Sequence, residues 1–385
     1  MEENQSIEEL RKQIDEIDKD IVKLFCKRMQ IAAGVAEYKR QHSLPVLDIS
    51  RERALLAKVA DMAGEEFGGY TKVLYTNMFA LSRSYQQGLL SGQSSLQQMI
   101  QETIEKTAKL FPETANVACQ GIEGAYSQIA AQKIFDLPNI TYYRSFEDVF
   151  DAVESGRSRY GVLPIENSCA GSVTKIFDLI LSHKFYIVKS YRLKVDHNLL
   201  ALPGSSMEKI TDVYSHEQAI NQCAGFLRQH PNIKVHVCAN TAVAAKMVAD
   251  SGRQDVAALS SRDCAQLYGL KNLCPSVQDM GNNYTRFICI SKEPEIYPGA
   301  DKTTVMAVTT NTPGSLYNLL SHFYAHGINL TKLESRPIPD RDFEAMFYFD
   351  IDVSIYSPKF SKVLSELERI CEDFRYLGSY AEHLG

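Results

Sequence analysis

The sequence predicts three parts in series: an all-α segment, a two-lobed α/β domain and a small βαββαβ, ferredoxin-like module. Three observations predict them. Over about the first ninety residues apolar side chains recur at alternating steps of three and four, with no strand pattern. From about residue 116, short apolar runs alternate with helix-length stretches, and the final eighty or so residues run β, α, β, β, α, β. A chain of 385 residues also exceeds what one hydrophobic core serves. The expected boundaries are 1–92, a linker over 93–115, then 116–292 and 303–385.

Composition narrows the function. With 45% hydrophobic and 23% charged residues the chain is ordinary globular material, and a net charge of −6 without a basic block excludes nucleic acid and anionic membrane as principal partners. Small anionic ligands remain open, because local clusters decide them. MEENQSIEELRKQ is acidic and lacks an apolar signal core, and no apolar run could span a bilayer, so a cytoplasmic location is predicted. Nine cysteines at irregular spacing, with no CxxC pair, predict reduced thiols rather than a disulfide frame or a metal site.

In the first segment Ser6 and Glu9 form a capping box, and Ile7, Leu10, Ile14, Ile17, Ile21, Leu24, Ile31, Val35 and Tyr38 make one seam along one long helix. Arg28 interrupts that seam. Unless it snorkels to water, it needs an anion, either a protein carboxylate or a ligand. Lys39 lies roughly 16 Å further along the axis at 1.5 Å per residue, so both side chains could converge on one small anion. Arg11 is roughly 25 Å from Arg28 on the same arithmetic, and could serve that ligand only from an antiparallel second copy. Pro45 ends the helix. A second begins at Asp48 with Arg51 and Glu52 in its first turn, and a third, about Tyr70–Leu90, carries Ser82 and Gln86 on one face. Three helices without a sheet or a closed monomeric core predict an intertwined homodimer, or a higher homo-oligomer.

Arg11, Arg28, Lys39, Asp48, Arg51, Glu52, Ser82 and Gln86 fall in the order and approximate spacing of the active site of the all-helical chorismate mutases, which residues 5–92 resemble. The resemblance implies rearrangement of chorismate to prephenate. Arg11 of a partner chain and Arg28 would hold the two carboxylates, Lys39 and Gln86 would donate to the ether oxygen, and Glu52 would take the ring hydroxyl. Such a pericyclic step needs no nucleophile, only a compact conformer and positive charge at the developing oxyanion.

In the central part, apolar runs such as NVACQG, ITYYRSF, YIVKSYRLKV, DVYSH, KVHVCA, VAALSS and TRFICIS predict strands of a mostly parallel sheet. Helices are expected from about Ser127, Glu147, Ser172, Gln218, Thr241 and Arg262, and length suggests two lobes, with a break near Asp196–Leu202 and a return near Asn283. The stretch YGVLPIENSCAGSV, Tyr160–Val173, carries a strand into a polar turn, with Ser172 as the expected N-cap of a helix running to about His183. Glu166, Asn167 and Ser168 then stand where unpaired helix-start amides welcome an anion. Polar residues gather at further strand-to-helix joints: GIEGAYS, His216 with Glu217, Asn240 with Thr241, and Thr285 with Arg286. Such joints converge in open α/β sheets, so one cleft is predicted. GIEGAYS lacks the full glycine pattern of a dinucleotide site.

GIEGAYSQ, FEDVF, YGVLPIENS, DHNLL, YSHEQA, NTA, AALSS and NYTRF occur in the order of the prephenate dehydratases, which residues 116–292 resemble. This implies a periplasmic-binding-protein-like pair of lobes with prephenate between them, no metal and no organic cofactor. The triplet Thr285, Arg286, Phe287 is the family's catalytic mark. Thr285 would hydrogen-bond to the departing hydroxide. Arg286 is either a carboxylate clamp or, pointing to the opposite strand face, a structural ion pair. Asn167, Ser168 and Thr174 are candidate anion donors, and Glu166 is a neutral acid or a turn carboxylate.

At the C-terminal end, NTPGSLYNLL and KLESRP resemble the two motifs of ACT regulatory domains, over about residues 303–381. The resemblance implies phenylalanine bound by Pro313, Gly314, Ser315 and Leu316 together with Glu334, Ser335, Arg336 and Pro337. Taken together, the three resemblances imply a mutase whose product feeds a dehydratase under phenylalanine feedback. The alternatives are an arogenate-preferring dehydratase and a metabolite-binding sensor without turnover. A mutase joined to prephenate dehydrogenase fails for want of a nucleotide fingerprint.

Overall fold

The computed structural model describes residues 6–90, 94–338 and 344–385; the expected boundary at 91–93 lies outside them. The described chain divides into two compact units. One holds the chain up to Gln98 with Thr310–Ala325 and Lys362–Ile370, and the other holds the remainder.

In the first unit, α1 (Ile7–Gln41) starts at the capping box, with Ser6 Oγ accepting from the Glu9 amide and the Glu9 carboxylate accepting from the Ser6 amide. α2 (Ile49–Leu90) begins one residue after Asp48, whose carboxylate accepts from Arg51 N at 3.0 Å. The second and third expected helices are therefore joined without a loop, and the break falls at Gly64, not near residue 70. Gly64 has φ 73°, a left-handed value that side-chain-bearing residues reach only with strain. Ala32, Ala36, Val59, Phe79 and Ala80 are buried, whereas Ile7, Leu10, Ile14, Ile17, Ile21 and Leu24 of the expected seam are exposed. The expected linker is more ordered than its composition suggests: it contains the twelve-residue helix α3 (Ser95–Lys106) and the start of β1 (Thr114–Gln120).

In the second unit the chain continues through α4 (Tyr126–Ile134), β2 (Leu137–Tyr143), α5 (Phe146–Glu154), β3 (Tyr160–Asn167), β4 (Gly171–Ser172), α6 (Thr174–Ser182) and β5 (Tyr186–Lys194). It then crosses to β6 (Asn198–Ala201), β7 (Asp212–Ser215), α7 (Glu217–Gln222), α8 (Ala224–Arg228), β8 (Lys234–Val237), α9 (Thr241–Ser251), β9 (Val256–Ser260), α10 (Arg262–Leu267) and β10 (Lys271–Cys274). β11 (Tyr284–Ser291) returns to the first lobe, between β5 and β3. The second lobe is the sheet β10-β6-β9-β7-β8. The sheets are mixed rather than mostly parallel, because the crossing strands β11 and β6 run antiparallel to their neighbours. Contrary to the expectation from sequence, Ser172 does not cap α6: it lies in β4, paired with Glu166, and Val173 precedes the helix.

After β12 (Lys302–Val308) come α11 (Ser315–Ala325), β13 (Asn329–Pro337), β14 (Ala345–Asp352), α12 (Pro358–Ile370) and β15 (Asp373–Tyr380). The sheet order β13-β14-β12-β15 is that of a βαββαβ module. β16 (Glu382–Leu384) adds to the first-lobe sheet beside β5. This sheet shares a core with the first lobe: Met306, Met346, Tyr348 and Leu377 pack with Leu163, Ile176, Phe177 and Ile288. At Gly378 the approach to β5 is so close that a Cβ would lie 2.1 Å from Ile187 O. Among the described residues no helix is long and apolar enough to cross a membrane.

Candidate active sites

The broken seam of α1 opens onto a cavity of about 170 Å³ lined by Arg28, Lys39, Asp48, Arg51, Glu52, Ser82 and Gln86 among others. Residues distant in sequence thus meet at one place. The Arg28 guanidinium lies over the Phe79 ring, 5.6 Å from its centroid, and its Nη1 is buried without a hydrogen-bond partner. Gln86 donates to Ser82 Oγ at 3.2 Å while its own Oε1 is also buried and unpartnered. A buried cationic donor and a buried amide left unsaturated in one cavity are costly unless a polar ligand completes them. Lys39 Nζ donates to Val46 O at 2.5 Å. Glu52 is ion-paired to Arg83, which also lines the cavity and which the sequence reading missed. Arg11 is not among the lining residues.

Between the lobes of the second unit lies a larger cleft, of about 350 Å³, lined by Asn167, His216, Thr241, Thr285 and Phe287, with Ser127, His197 and Gln222. Two cleft residues come from directly paired strands: Thr285 on β11 stands opposite Asn167 on β3. The amides of Cys169 and Ala170 both donate to Asn167 Oδ1, at 3.0 and 2.9 Å, which fixes the orientation of that side chain. Its Nδ2 therefore donates, to Asn283 Oδ1 at 2.8 Å and to Thr285 Oγ1 at 2.9 Å. Since the Thr285 oxygen is the acceptor there, its hydroxyl proton is left for the cleft. Gln222 completes the network. Its Oε1 accepts from Asn283 Nδ2 at 3.0 Å and from His197 Nε2 at 2.9 Å, while its Nε2 reaches Asn167 Oδ1 at 3.4 Å. Burial holds the His197 imidazole below its ordinary pKa against the smaller effect of Gln222, so the ring is neutral, and its Nδ1 is buried without a partner. The starts of α4 and α9, with Ser127 and Thr241, also line the cleft.

Residues 10–87 match the family profile of chorismate mutase type II, and residues 117–295 that of prephenate dehydratase. A bifunctional chorismate mutase/prephenate dehydratase of Buchnera aphidicola subsp. Acyrthosiphon pisum is 32% identical over 386 residues, 99% of this chain and 97% of its own. The chain belongs to the bifunctional chorismate mutase/prephenate dehydratase family. As a bifunctional mutase–dehydratase of phenylalanine biosynthesis it carries both activities. Arogenate dehydratase 1 of Petunia hybrida is 38% identical over 291 residues, 71% of this chain and 68% of that protein. The solved prephenate dehydratase of Arthrobacter aurescens, a complex with L-Phe, is 28% identical, with a TM-score of 0.64 over 69% of this chain and 90% of its own.

Four expected contact residues of the mutase–dehydratase, Glu166, Ser168, Thr174 and Arg286, lie outside the cleft. Glu166, Ser168 and Arg286 line a separate cavity of about 470 Å³. The reason is strand alternation: Arg286 pairs with Glu166 one step from the Thr285–Asn167 pair, so both charged side chains leave by the opposite face. There Arg286 is 5% exposed and saturated with protein partners: Glu166 Oε1 at 2.9 Å, Asp350 Oδ2 at 2.5 Å, Glu382 Oε2 at 3.0 Å and Tyr380 Oη at 2.7 Å. The clamp alternative for Arg286 does not fit this placement, and the structural ion pair does. Burial opposes the charge of Glu166, but Arg286 and Lys332 outweigh it and lower its pKa, so the neutral-acid alternative does not fit either. Ser168 Oγ donates to Asn282 O at 2.8 Å and accepts from Tyr284 N at 2.9 Å. Thr174 begins α6 but is not among the lining residues of either cavity; its neighbour Val173 lines the cleft.

Of the expected effector residues, Pro313, Gly314 and Ser315 turn into α11, where Ser315 Oγ lies 2.7 Å from Thr312 Oγ1, and Leu316 is in its first turn. On β13, Glu334 and Arg336 face the catalytic lobe: Ser172 Oγ donates to Glu334 at 2.6 Å and Arg336 donates to Asp178 at 2.7 Å. Ser335 and Pro337, on the alternate face, are exposed. All nine cysteines are unpaired. Among the described residues one group, Asp151, Glu154 and His183, offers three ligand atoms within 4.8 Å of one another, and the Glu154–His183 contact at 2.8 Å accounts for it as a hydrogen bond.

Proposed function

We propose that the α1/α2 cavity is the mutase site and the interlobe cleft the dehydratase site. In the first, Arg28 Nη1 holds a chorismate carboxylate, Lys39 and Gln86 face the ether oxygen as its bond breaks, and Glu52 takes the ring hydroxyl, with Asp48, Arg51 and Ser82 completing the wall. Positive charge at the breaking C–O bond and a compact bound conformer are all this rearrangement needs. Arg11 joins the site from a second copy. The exposed apolar face of α1 supports this, since burying it needs a partner of the same shape.

In the second site prephenate lies between the lobes. The electrons of the bond to the leaving carboxylate flow into the ring, CO₂ departs, the C–OH bond breaks, and the hydroxide takes up a proton to leave as water. The observation that carries the assignment is the Asn167–Thr285 bond, which leaves the Thr285 proton free to stabilise that hydroxide. The helix starts at Ser127 and Thr241, with His216, receive the pyruvyl carboxylate. Phe287, 2% exposed, forms the apolar floor beside the ring carboxylate, which leaves more readily where it is poorly solvated.

The C-terminal βαββαβ module is read as an ACT domain that binds phenylalanine through 313–316 and 334–337 and feeds back on the dehydratase; the L-Phe complex of the Arthrobacter relative supports this. The location is cytoplasmic. The test is turnover of purified protein on chorismate, with and without phenylalanine. Consumption of chorismate with release of phenylpyruvate, slowed by phenylalanine, is expected; accumulation of prephenate alone would refute the dehydratase assignment. The 38% identity to arogenate dehydratase favours a second reading of the same cleft, and competition between prephenate and arogenate decides it.

A further inference from the structure

β3 and β11 present two pairs of side chains on opposite faces. Thr285 and Asn167 face the cleft, while Arg286 and Glu166, one residue along, face the C-terminal sheet. Neither charged residue is spare. The Arg286 guanidinium ties β11 to β14 through Asp350, whose other oxygen accepts from Thr304 Oγ1 at 2.6 Å. The remaining oxygen of Glu166 accepts from Lys332 Nζ of β13 at 2.7 Å, and Lys332 also donates to Ser172 Oγ at 2.8 Å. Lys332 is two residues before Glu334 and therefore on the same strand face.

We propose that the Arg286–Glu166–Asp350–Lys332 cluster positions the Thr285–Asn167 pair for dehydration, and that the Lys332–Glu166 contact makes this geometry depend on the state of β13. The inference rests on reading the C-terminal module as a phenylalanine sensor. Arg286 is thus a positioning residue that never touches substrate. A shift of β13 moves Lys332, Glu166 follows, and its backbone neighbour Asn167 loses its alignment with Thr285. Such coupling requires an element with two arrangements, and in this one the Lys332–Glu166 and Arg286–Asp350 contacts are both made.

The variant Lys332→Gln removes the cation from β13 and leaves Glu166 paired with Arg286. In the full-length enzyme we expect phenylalanine to bind with an affinity within about threefold of wild type by calorimetry, while the concentration giving half-inhibition of dehydration rises about tenfold or more. Arg286→Lys supplies the positioning arm: kcat for prephenate falls about tenfold with KM nearly unchanged. Inhibition of Lys332→Gln at wild-type potency would overturn the coupling while leaving the sensor reading intact. A rise in KM with kcat kept in Arg286→Lys would restore the carboxylate clamp and overturn the positioning role. A wild-type enzyme that phenylalanine neither binds nor inhibits would remove the sensor reading, and the coupling with it.

Discussion

Replacing Thr285 by valine deletes one oxygen and keeps the shape of the side chain. The strand pairing of residue 285 with Asn167 and Leu193 is made by the backbone and survives. Asn167 Nδ2 keeps Asn283 Oδ1 at 2.8 Å and Tyr284 O at 3.2 Å, so no donor is orphaned and the stability cost should be about 1 kcal/mol or less. The chemical cost is larger, because the lost hydroxyl is the donor to a charge that develops only as the C–OH bond breaks. One such donor is worth roughly 10²–10³ in kcat, or about 3–4 kcal/mol. Phenylpyruvate formation from prephenate, read by its absorbance in alkali, should fall by that factor, while chorismate consumption by the same preparation stays near wild type. Thr285→Ser should recover most of the loss. A kcat of Thr285→Val within about threefold of wild type would sink the role given to this hydroxyl.

Arg28→Ala should lower mutase turnover by about 10²–10³ and leave prephenate dehydration untouched; normal chorismate consumption would end the mutase assignment of the cavity. Gly378→Ala should cost roughly 1–3 kcal/mol, seen as a lowered Tm, because its Cβ would meet Ile187 O at 2.1 Å; an unchanged Tm contradicts the close approach of β15 to β5. For Glu166 the sign follows from a folded pKa held below 4.5. Its ion pairs contribute fully above pH 4.5 and are lost as pH falls through the lowered folded value. The stability gap between wild type and Glu166→Gln, measured by urea midpoints, should therefore narrow on acidification below that pH, and a constant gap would count against the cluster.

The sequence made the helical cavity legible because its residues sit at helical spacing: Arg28 broke an apolar seam, and Ser82 and Gln86 are four apart. It could not show that the break between the second and third helices is the single residue Gly64, since a glycine in a helical pattern does not declare its φ. In the α/β part, the Glu166-Asn167 and Thr285-Arg286 dipeptides were recognisable, but their division between two faces depended on the register of β11 against β3, which a single sequence does not contain. Gln222 and His197 were missed for a related reason. Each sits among other polar residues, His197 between Asp196 and Asn198 and Gln222 beside Asn221, so neither stands out, and only the crossing of the chain between lobes brings them to Asn167 and Asn283. Arg83 carried no signal beyond being one more charge on a helix.

The opposite orientation of neighbouring residues on β3 and β11 restricts how this segment can change over time. Inserting or deleting one residue in β11 would exchange the hydroxyl for the guanidinium, and in β3 the amide for the carboxylate, in either case bringing a charge into the substrate cleft and taking it from the far interface in a single event. Point substitutions can tune either face separately, but length variation cannot. Crossovers between related genes should therefore survive at the flanking turns far more often than within these two strands.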